Sequence, residues 1–533
     1  MSAALLDLDV LVVDCQTTGA SPAHGVVLEL GWCVVRASQP EREAEAVAHW
    51  ITPPQGVRVS AQVRQLTGFQ ESVLENALPA EQAWQRLREL MRTAEPTPAA
   101  IHFARFELSF LRDWSERFAP AEPFPLDAVC VHAIACRLYP DLPRRNLRAL
   151  AGFLGHGLHL ERRSLGHVQA TAFIWRKLVG ELAGRDVHTW SDLTSWLASA
   201  ERPATPRKRR YPLAPARYRE LPDAPGVYRM LRSNGDVLYV GKATSLKKRV
   251  ASHFTKRSGA TERALEMLTQ VSDIAFVATS SALEAALLET QTIKTVNPPY
   301  NVQLLLGERS IWFAAADLTS AERAPDQRHR FGPLSSRYAV RALGALSELL
   351  AGEAATALRR AACVGAPLRF APDEASFAEG FALFGARSAT VPVGATARSG
   401  RPRQVALALA RRLVLAAPEE AEADLEDEPV AADWDGPRVC RHLERAAAQS
   451  YRVLRRASWL RLLASSSVAY REPGASTTRF LLLDLASIVE AGDLTASAEL
   501  PAPAPRPQPA RQACFDATSY DALRILTTEL KRI

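Results

Sequence analysis

Apolar residues gather in short runs near the N-terminus. "LDVLVVD" (8–14) and "VVLELGWCVV" (26–35) are rich in Val and Leu and predict strands. "AAIHF" (99–103) predicts a further short strand running into the helix "ARFELSFLRDWSERF". In "HVQATAFIWRKLVGELAG" (167–184), Ala172, Trp175, Val179 and Leu182 recur at helical spacing. Strands followed by helices predict a sheet with helices packed on its faces. A second patterned stretch begins at 221. "GVYRMLR" and "VLYVGKA" predict two strands joined by the turn Ser-Asn-Gly-Asp. "SLKKRVASHF" and "TERALEMLTQ" predict helices, and "IAFVAT" a third strand. "SALEAALLETQTIKTVN" predicts a helix opened by a capping box from Ser281 to Glu284. The chain closes on the helix "SYDALRILTTELKRI".

Breaks in the pattern set the expected domains. Residues 1–200 read as one α/β domain. Residues 201–220 form a basic, Pro-rich linker: "ERPATPRKRRYPLAPAR" holds four prolines and six Lys or Arg. Residues 221–303 form a small α/β domain, and 304–500 a mixed α/β region. Nine acids between Glu419 and Asp435 predict a solvated loop. Residues 501–513 are a Pro-rich linker before the terminal helix at 514–533. No internal repeat is evident.

Composition adds exclusions more than identities. Hydrophobic content is 47% and charged content 23%, ordinary for a globular chain. No apolar run approaches a bilayer span, which argues against a membrane protein. The N-terminus lacks a signal-peptide pattern. The seven cysteines are scattered, with no Cys-x-x-Cys pair, so neither a zinc site nor a disulfide framework is expected. A cytoplasmic location fits both features. The net charge of +7 is compatible with a polyanionic partner but specifies none.

The polar residues between 226 and 301 carry the strongest chemistry. Tyr228 and Tyr239 are expected to end adjacent strands, with Gly241 and Lys242 after the second. Arg249 sits on the next helix, and His253 one turn further on. Glu289 shares a largely apolar helix face with Ala286 and Ile293. An acid on such a face needs a partner, and a metal ion is one candidate. Asn301 closes the set.

This pattern resembles the GIY-YIG nuclease family, and within it the N-terminal domain of the C component of excinuclease ABC. "PGVYRM", "VLYVGKATSLKKRVASHF" and "LLETQTIKTVNPPYNV" carry the likeness. It implies a single divalent metal, Mg²⁺ or Mn²⁺, held by Glu289 on the scissile phosphate. Arg249 would neutralise charge on the phosphoryl oxygens. Tyr228 would be the base that activates water, helped by Lys242. Tyr239 would orient that water, and Asn301 would support the site. The family tends to have Tyr at the place of His253, which would contact phosphate or cap a helix. Lys247, Lys248 and the linker residues Arg207, Lys208, Arg209 and Arg210 are candidate DNA contacts.

The N-terminal segment resembles DEDD-type 3′→5′ exonucleases, such as the proofreading epsilon subunit of DNA polymerase III. That implies an RNase H-like fold, a mixed sheet with flanking helices. The family has Asp-x-Glu where this chain has Asp14 and Gln16. It has His-Asn-x-x-Phe-Asp where this chain has "IHFARFELSFL", with Glu107 at the Asp position. In "RRSLGHVQAT", Arg162 falls at the catalytic His and His167 at the last Asp. Four carboxylates and a His base are needed to run two metals. Gln16 lacks a charge, and His167 offers only nitrogen. Arg162 cannot act as a base near neutral pH. The expected consequence is a degenerate site on a retained fold.

Beyond these domains the likeness thins. "FGPLSSRYAVRALGALSELL" resembles the stretch that follows the GIY-YIG domain in the same excinuclease component, a Phe-Gly-Pro turn leading into a helix. The whole chain looks like a fusion of an epsilon-like domain with a Cho-type excinuclease half. The leading expectation is a DNA-repair endonuclease acting 3′ to a lesion, recruited by a damage-recognition complex or a DNA polymerase. A 3′→5′ exonuclease and a non-catalytic DNA-binding scaffold are the alternatives.

Overall fold

The computed structural model describes residues 3–39, 45–91, 96–157, 163–199, 210–255, 260–302, 311–318, 320–337, 339–341, 343–344, 347, 372–389, 402–416, 434–472, 475–484, 487–495, 499–504 and 515–530. The chain forms two compact units. One comprises Met1–Ser280 with Pro298–Asn301; the other comprises Ser281–Asn297 with Val302–Ile533. Strands are numbered in chain order, and helices are given by their residues.

The first unit opens with a five-stranded sheet. Its strands are β1 (Asp9–Thr17), β2 (Val27–Arg36), β3 (Val47–Trp50), β4 (Thr97–Ile101) and β5 (Leu126–Cys130), in the order β3-β2-β1-β4-β5. β1 pairs antiparallel with β2 and parallel with β4, so the sheet is mixed. β1 is buried on both faces, which explains its unbroken run of Val and Leu. On one side Val10 and Val12 pack with Trp175, Leu178 and Leu182 of the helix Ser164–Ala183. On the other, Leu11 and Val13 pack with Phe110 and Leu111 of the helix Ala104–Phe118.

A smaller antiparallel sheet follows, built from β6 (Gly226–Leu231), β7 (Val237–Ala243) and β8 (Asp273–Ala278), with β6 in the middle. The β6–β7 turn uses Gly235 at φ 89°, a left-handed conformation that favours Gly. The helices Leu246–Thr255 and Glu262–Gln270 complete this module.

The two modules of the first unit meet along the helices Leu147–Phe153 and Glu262–Gln270. A Cβ on Gly152 would collide with the Gln270 side chain. Buried Gln270 accepts from Arg232 Nε at 3.0 Å and donates to Tyr300 Oη at 2.6 Å. Arg232 also donates to the backbone oxygen of His156, and Asn146 Nδ2 to Glu266 Oε2 at 2.7 Å. Buried polar groups that satisfy one another fix a geometry, because separating them leaves each without a partner.

The second unit holds β9 (Trp312–Ala315), β10 (Ala321–Glu322) and β11 (His329–Leu334) in one sheet. A second sheet contains β12 (Ser467–Tyr470), β13 (Thr478–Asp484) and β14 (Ser487–Leu494). The helices Glu374–Ala389, Pro402–Ala416 and Gly436–Leu463 pack around Phe384, Leu409 and Val439. The Phe331-Gly-Pro segment is strand, not the expected turn: it pairs with β9, and that long-range ladder overrides the local turn signal. The five described cysteines, 15, 33, 130, 136 and 440, are free thiols. Among the described residues no helix is long and apolar enough to cross a membrane. Most of the acidic run after Glu419 and the linker residues 201–209 lie outside the described residues.

Candidate nuclease sites

The first site lies where β1 ends. Glu29 on β2 is fully buried. It accepts from Arg163 Nε at 2.8 Å and from the backbone N–H of Ser164 at 2.9 Å. A carboxylate there satisfies an orphan donor of the helix Ser164–Ala183 and favours its positive end. Gly31 lets the helix approach: a Cβ there would lie 2.9 Å from Ser164 Cβ. The helix start is thus pinned to the sheet, and His167, on its first turn, faces Asp14. His167 Nδ1 lies 3.2 Å from Asp14 Oδ1. Gln16 Nε2 donates to Asp14 Oδ2 at 3.3 Å and lies 3.3 Å from His167 Nδ1. Glu107, on the helix Ala104–Phe118, accepts the backbone N–H of Cys15 at 2.8 Å. These residues line an open cleft of about 1020 Å³.

Burial alone would lower the His167 pKa, but the hydrogen bond to Asp14 and its charge outweigh burial and raise it. Burial first, and then Asp14, push the Glu107 carboxyl well above the usual range. The cleft floor therefore favours an imidazolium beside one carboxylate, with a second acid inclined to stay neutral. Two divalent cations need several charged oxygen donors. Here both Asp14 oxygens have partners, one neighbour is an amide, and another is a nitrogen base. The donor set does not fit two such ions. Among the described residues, no group of three or more His, Cys, Asp and Glu could hold a metal. Arg162 lies outside the described residues.

One rim residue departs from ordinary backbone geometry. Phe103, between β4 and the next helix, has φ 58° and ψ 44°. For a side chain with a Cβ this left-handed conformation costs about 1–2 kcal/mol. The residue is 47% exposed, and its ring packs on His132, with centroids 4.6 Å apart. Beneath it, His102 is buried with neither ring nitrogen partnered, and its pKa is lowered to about 3 by burial and then by His132 and His167.

The second site stands on the small sheet. The register pairs Tyr228 with Gly241 and Met230 with Tyr239, so both tyrosines sit inside their strands rather than at the ends. They share a face. Their rings and that of His253 form a triangle with centroid separations of 6.1, 5.8 and 6.1 Å. Tyr228 is fully buried, with Oη 2.8 Å from His253 Nε2. Tyr239 and His253 are half-buried. A Cβ on Gly241 would lie 2.6 Å from Tyr228 Oη, and one on Gly226 would strike the carbonyl of Val277. Both hallmark glycines are therefore places of close approach.

Asn301 is buried and fixes β7 from behind. Its Oδ1 accepts from Val240 N at 3.0 Å and its Nδ2 donates to Val240 O at 2.9 Å. Arg249 is exposed, one helical turn before His253; Lys247 and Lys248 are exposed beside it. Lys248 pairs with Asp223 at 3.5 Å. The register pairs Lys242 with Val227, so it leaves the sheet on the face opposite Tyr228. His253 is one partner of the phenol. Arg210 is exposed, and its N–H donates to the Asp141 carbonyl at 2.9 Å.

Glu289 lies on the helix Ala282–Val296, in the second unit, flanked by buried Ala286 and Ile293 as expected. That helix is anchored by the buried pair Lys294–Asp521 at 2.6 Å. Ser281 caps it by accepting from Glu284 N at 3.1 Å. The expected box is half formed, since the Glu284 carboxylate instead accepts from Arg479 at 2.6 Å.

Residues 224–302, which include every member of the second set, match the UvrC-like GIY-YIG domain family. Residues 11–159 match the Exonuclease family. The chain joins two nuclease-type domains. A Mycobacterium tuberculosis protein, provisionally named a bifunctional exonuclease/endonuclease, is 28% identical over 350 residues, covering 63% of this chain and 51% of its own length. UvrABC system protein C of Alkalilimnicola ehrlichii is 44% identical over 130 residues, covering 23% of this chain and 21% of its own. The chain thus spans about half of the first relative and about a fifth of the second. Among solved structures, the magnesium-bound GIY-YIG endonuclease domain of UvrC from Thermotoga maritima is 29% identical. That match covers 16% of this chain and 93% of that one, with a TM-score of 0.15.

Sequence reasoning missed several residues that build these two domains. Glu29 and Gly31 seat the His167 helix, and Gly152, Arg232 and Gln270 join the modules. A buried acid inside an apolar strand was the one available signal for Glu29. The inter-module contacts join residues far apart in sequence and left no local pattern.

Proposed function

We propose that this chain is a metal-dependent DNA endonuclease of DNA repair, incising in the manner of nucleotide excision repair, 3′ to a lesion. The exonuclease-type cleft is impaired as a catalyst and serves to grip DNA. One contrast carries this reading: the Tyr228–His253 pair stands ordered beside Tyr239, whereas the Asp14 oxygens are taken up by His167 and Gln16.

A base must reach the water it activates. In this reading Tyr228 is the base that activates water, and half-buried His253, with Nε2 2.8 Å from the Tyr228 Oη, is its hydrogen-bond partner. A proton on His253 Nε2 would be donated to Tyr228 Oη and so favour the phenolate form of the base. A water proton passes to the Tyr228 phenolate oxygen and the hydroxide oxygen bonds to phosphorus. The phosphorus–oxygen bond to the leaving strand end breaks, its electron pair stays on the leaving oxygen, and that oxygen takes a proton from solvent water. Arg249 neutralises charge developing on the phosphoryl oxygens, and Tyr239 orients the water. Glu289, a single acid on an apolar helix face, suits one Mg²⁺ or Mn²⁺ completed by waters and phosphate, which would supply charge neutralisation at the scissile phosphate. Recruitment by a damage-recognition complex or a polymerase belongs to the same reading.

The test uses an end-labelled duplex with a bulky adduct, a 3′-labelled single strand, and Mg²⁺ or Mn²⁺. Wild type, Glu289→Ala and Asp14→Ala run side by side. Discrete internal nicks lost only in Glu289→Ala are expected. Stepwise loss from the 3′ end, abolished by Asp14→Ala, would overturn the reading in favour of an exonuclease. No cleavage by any form would favour a scaffold.

A further inference from the structure

We propose that Phe103 is a stacking platform for one base of single-stranded DNA lying in the Asp14 cleft, with Arg105 and Arg148 placed for its phosphates. The proposal rests on the reading that this cleft grips DNA.

Phe103 is an improbable residue for its place. A left-handed backbone position is cheapest for Gly, Asn or Asp, and the exonuclease motif has Asn there. Here the position holds a large apolar ring that gains little burial in return, being 47% exposed. Its ring contacts are with His102, at 4.7 Å edge-on, and His132, at 4.6 Å and an interplanar angle of 33°. His132 therefore backs the ring from one side, while Phe103 itself lines the cleft. Burial and then Arg145 lower the His132 pKa, so the backing ring favours its neutral form.

The surroundings suit a nucleotide strand. Arg105 is exposed two residues along, and Arg148 lines the same cleft. Leu66, also on the lining, is 49% exposed and adds apolar surface. The Asp14 carboxylate faces His167 at 3.2 Å, so the acid on the floor that would otherwise repel phosphate is paired within the protein. An exposed aromatic flanked by arginines in an open groove is the arrangement by which proteins hold single strands without reading sequence. None of this grip requires a metal.

The test measures fluorescence anisotropy of full-length protein with a labelled single-stranded 12-mer in EDTA. A second probe carries abasic sites. Phe103→Asn is chosen because Asn suits the backbone: melting temperature should hold or rise. Binding of the normal strand should nevertheless weaken by about 5- to 100-fold. Phe103→Tyr should retain binding. Wild type should bind the abasic strand more weakly, and Phe103→Asn should no longer distinguish the two probes. If Phe103→Asn binds the normal strand as tightly as wild type, the platform is wrong and the gripping cleft stands. If wild type fails to bind the strand in EDTA, both fall together.

Discussion

The cleft around Asp14 and the cluster around Tyr228 are both assembled on a sheet face from residues that approach closely through glycine. They treat their polar groups differently. In the cleft, acid, amide and imidazole spend their hydrogen-bonding capacity on each other. In the cluster, one buried phenol holds one imidazole, and Tyr239, His253 and Arg249 keep partial or full exposure. The frame at Glu29 and Gly31 seats the helix that carries His167, because packing constrains backbone separately from the identity of the facing side chain.

The largest expected effect tests which region carries catalysis. Glu289→Ala should lower Mg²⁺-dependent nicking of supercoiled plasmid by about 10²–10³-fold, as for loss of a principal charge-stabilising group. Asp14→Ala should leave that rate unchanged; equal losses in both would break the comparison. The next sharpens the account of the cleft. Gln16→Glu with His167→Asp returns two charges to the donor set. Mn²⁺ affinity, read by calorimetry in the Glu289→Ala background, should rise by roughly tenfold or more. No gain would mean that charge alone does not limit metal binding in the cleft.

Smaller effects concern stability. Gly241→Ala forces a methyl to 2.6 Å from Tyr228 Oη and should cost about 1–3 kcal/mol by thermal or denaturant melting. Last comes pH. Glu107 has a raised pKa in the fold, so the folded chain keeps its proton to higher pH than the unfolded chain. That contribution is present below the ordinary carboxyl range and is lost as pH rises through the raised value. Glu107→Gln should therefore be close to neutral at pH 5 and stabilising at pH 8, with the Cys15 N–H still accepted by the amide oxygen.

Much of both sites was legible because the signals are local. The helix Ala104–Phe118 follows from its periodicity, and Gly226, Tyr228, Tyr239 and Gly241 announce themselves by spacing. The altered residues Gln16 and His167 could also be read directly. Position along a strand could not: Tyr228 and Tyr239 lie mid-strand because β6 and β7 extend past them to Leu231 and Ala243, lengths set by pairing. Burial of Tyr228 depends on layers contributed by distant segments. The Phe331-Gly-Pro strand was hidden for the same reason, since its partner β9 supplies the ladder.

The contact between the helices Leu147–Phe153 and Glu262–Gln270 has a metric consequence. Gly152, Gln270, Arg232 and the His156 carbonyl hold the cleft and the tyrosine cluster within one unit. A strand end held in the cleft would then be measured against a ruler made of protein. Nicks would fall at a constant count of nucleotides from that end.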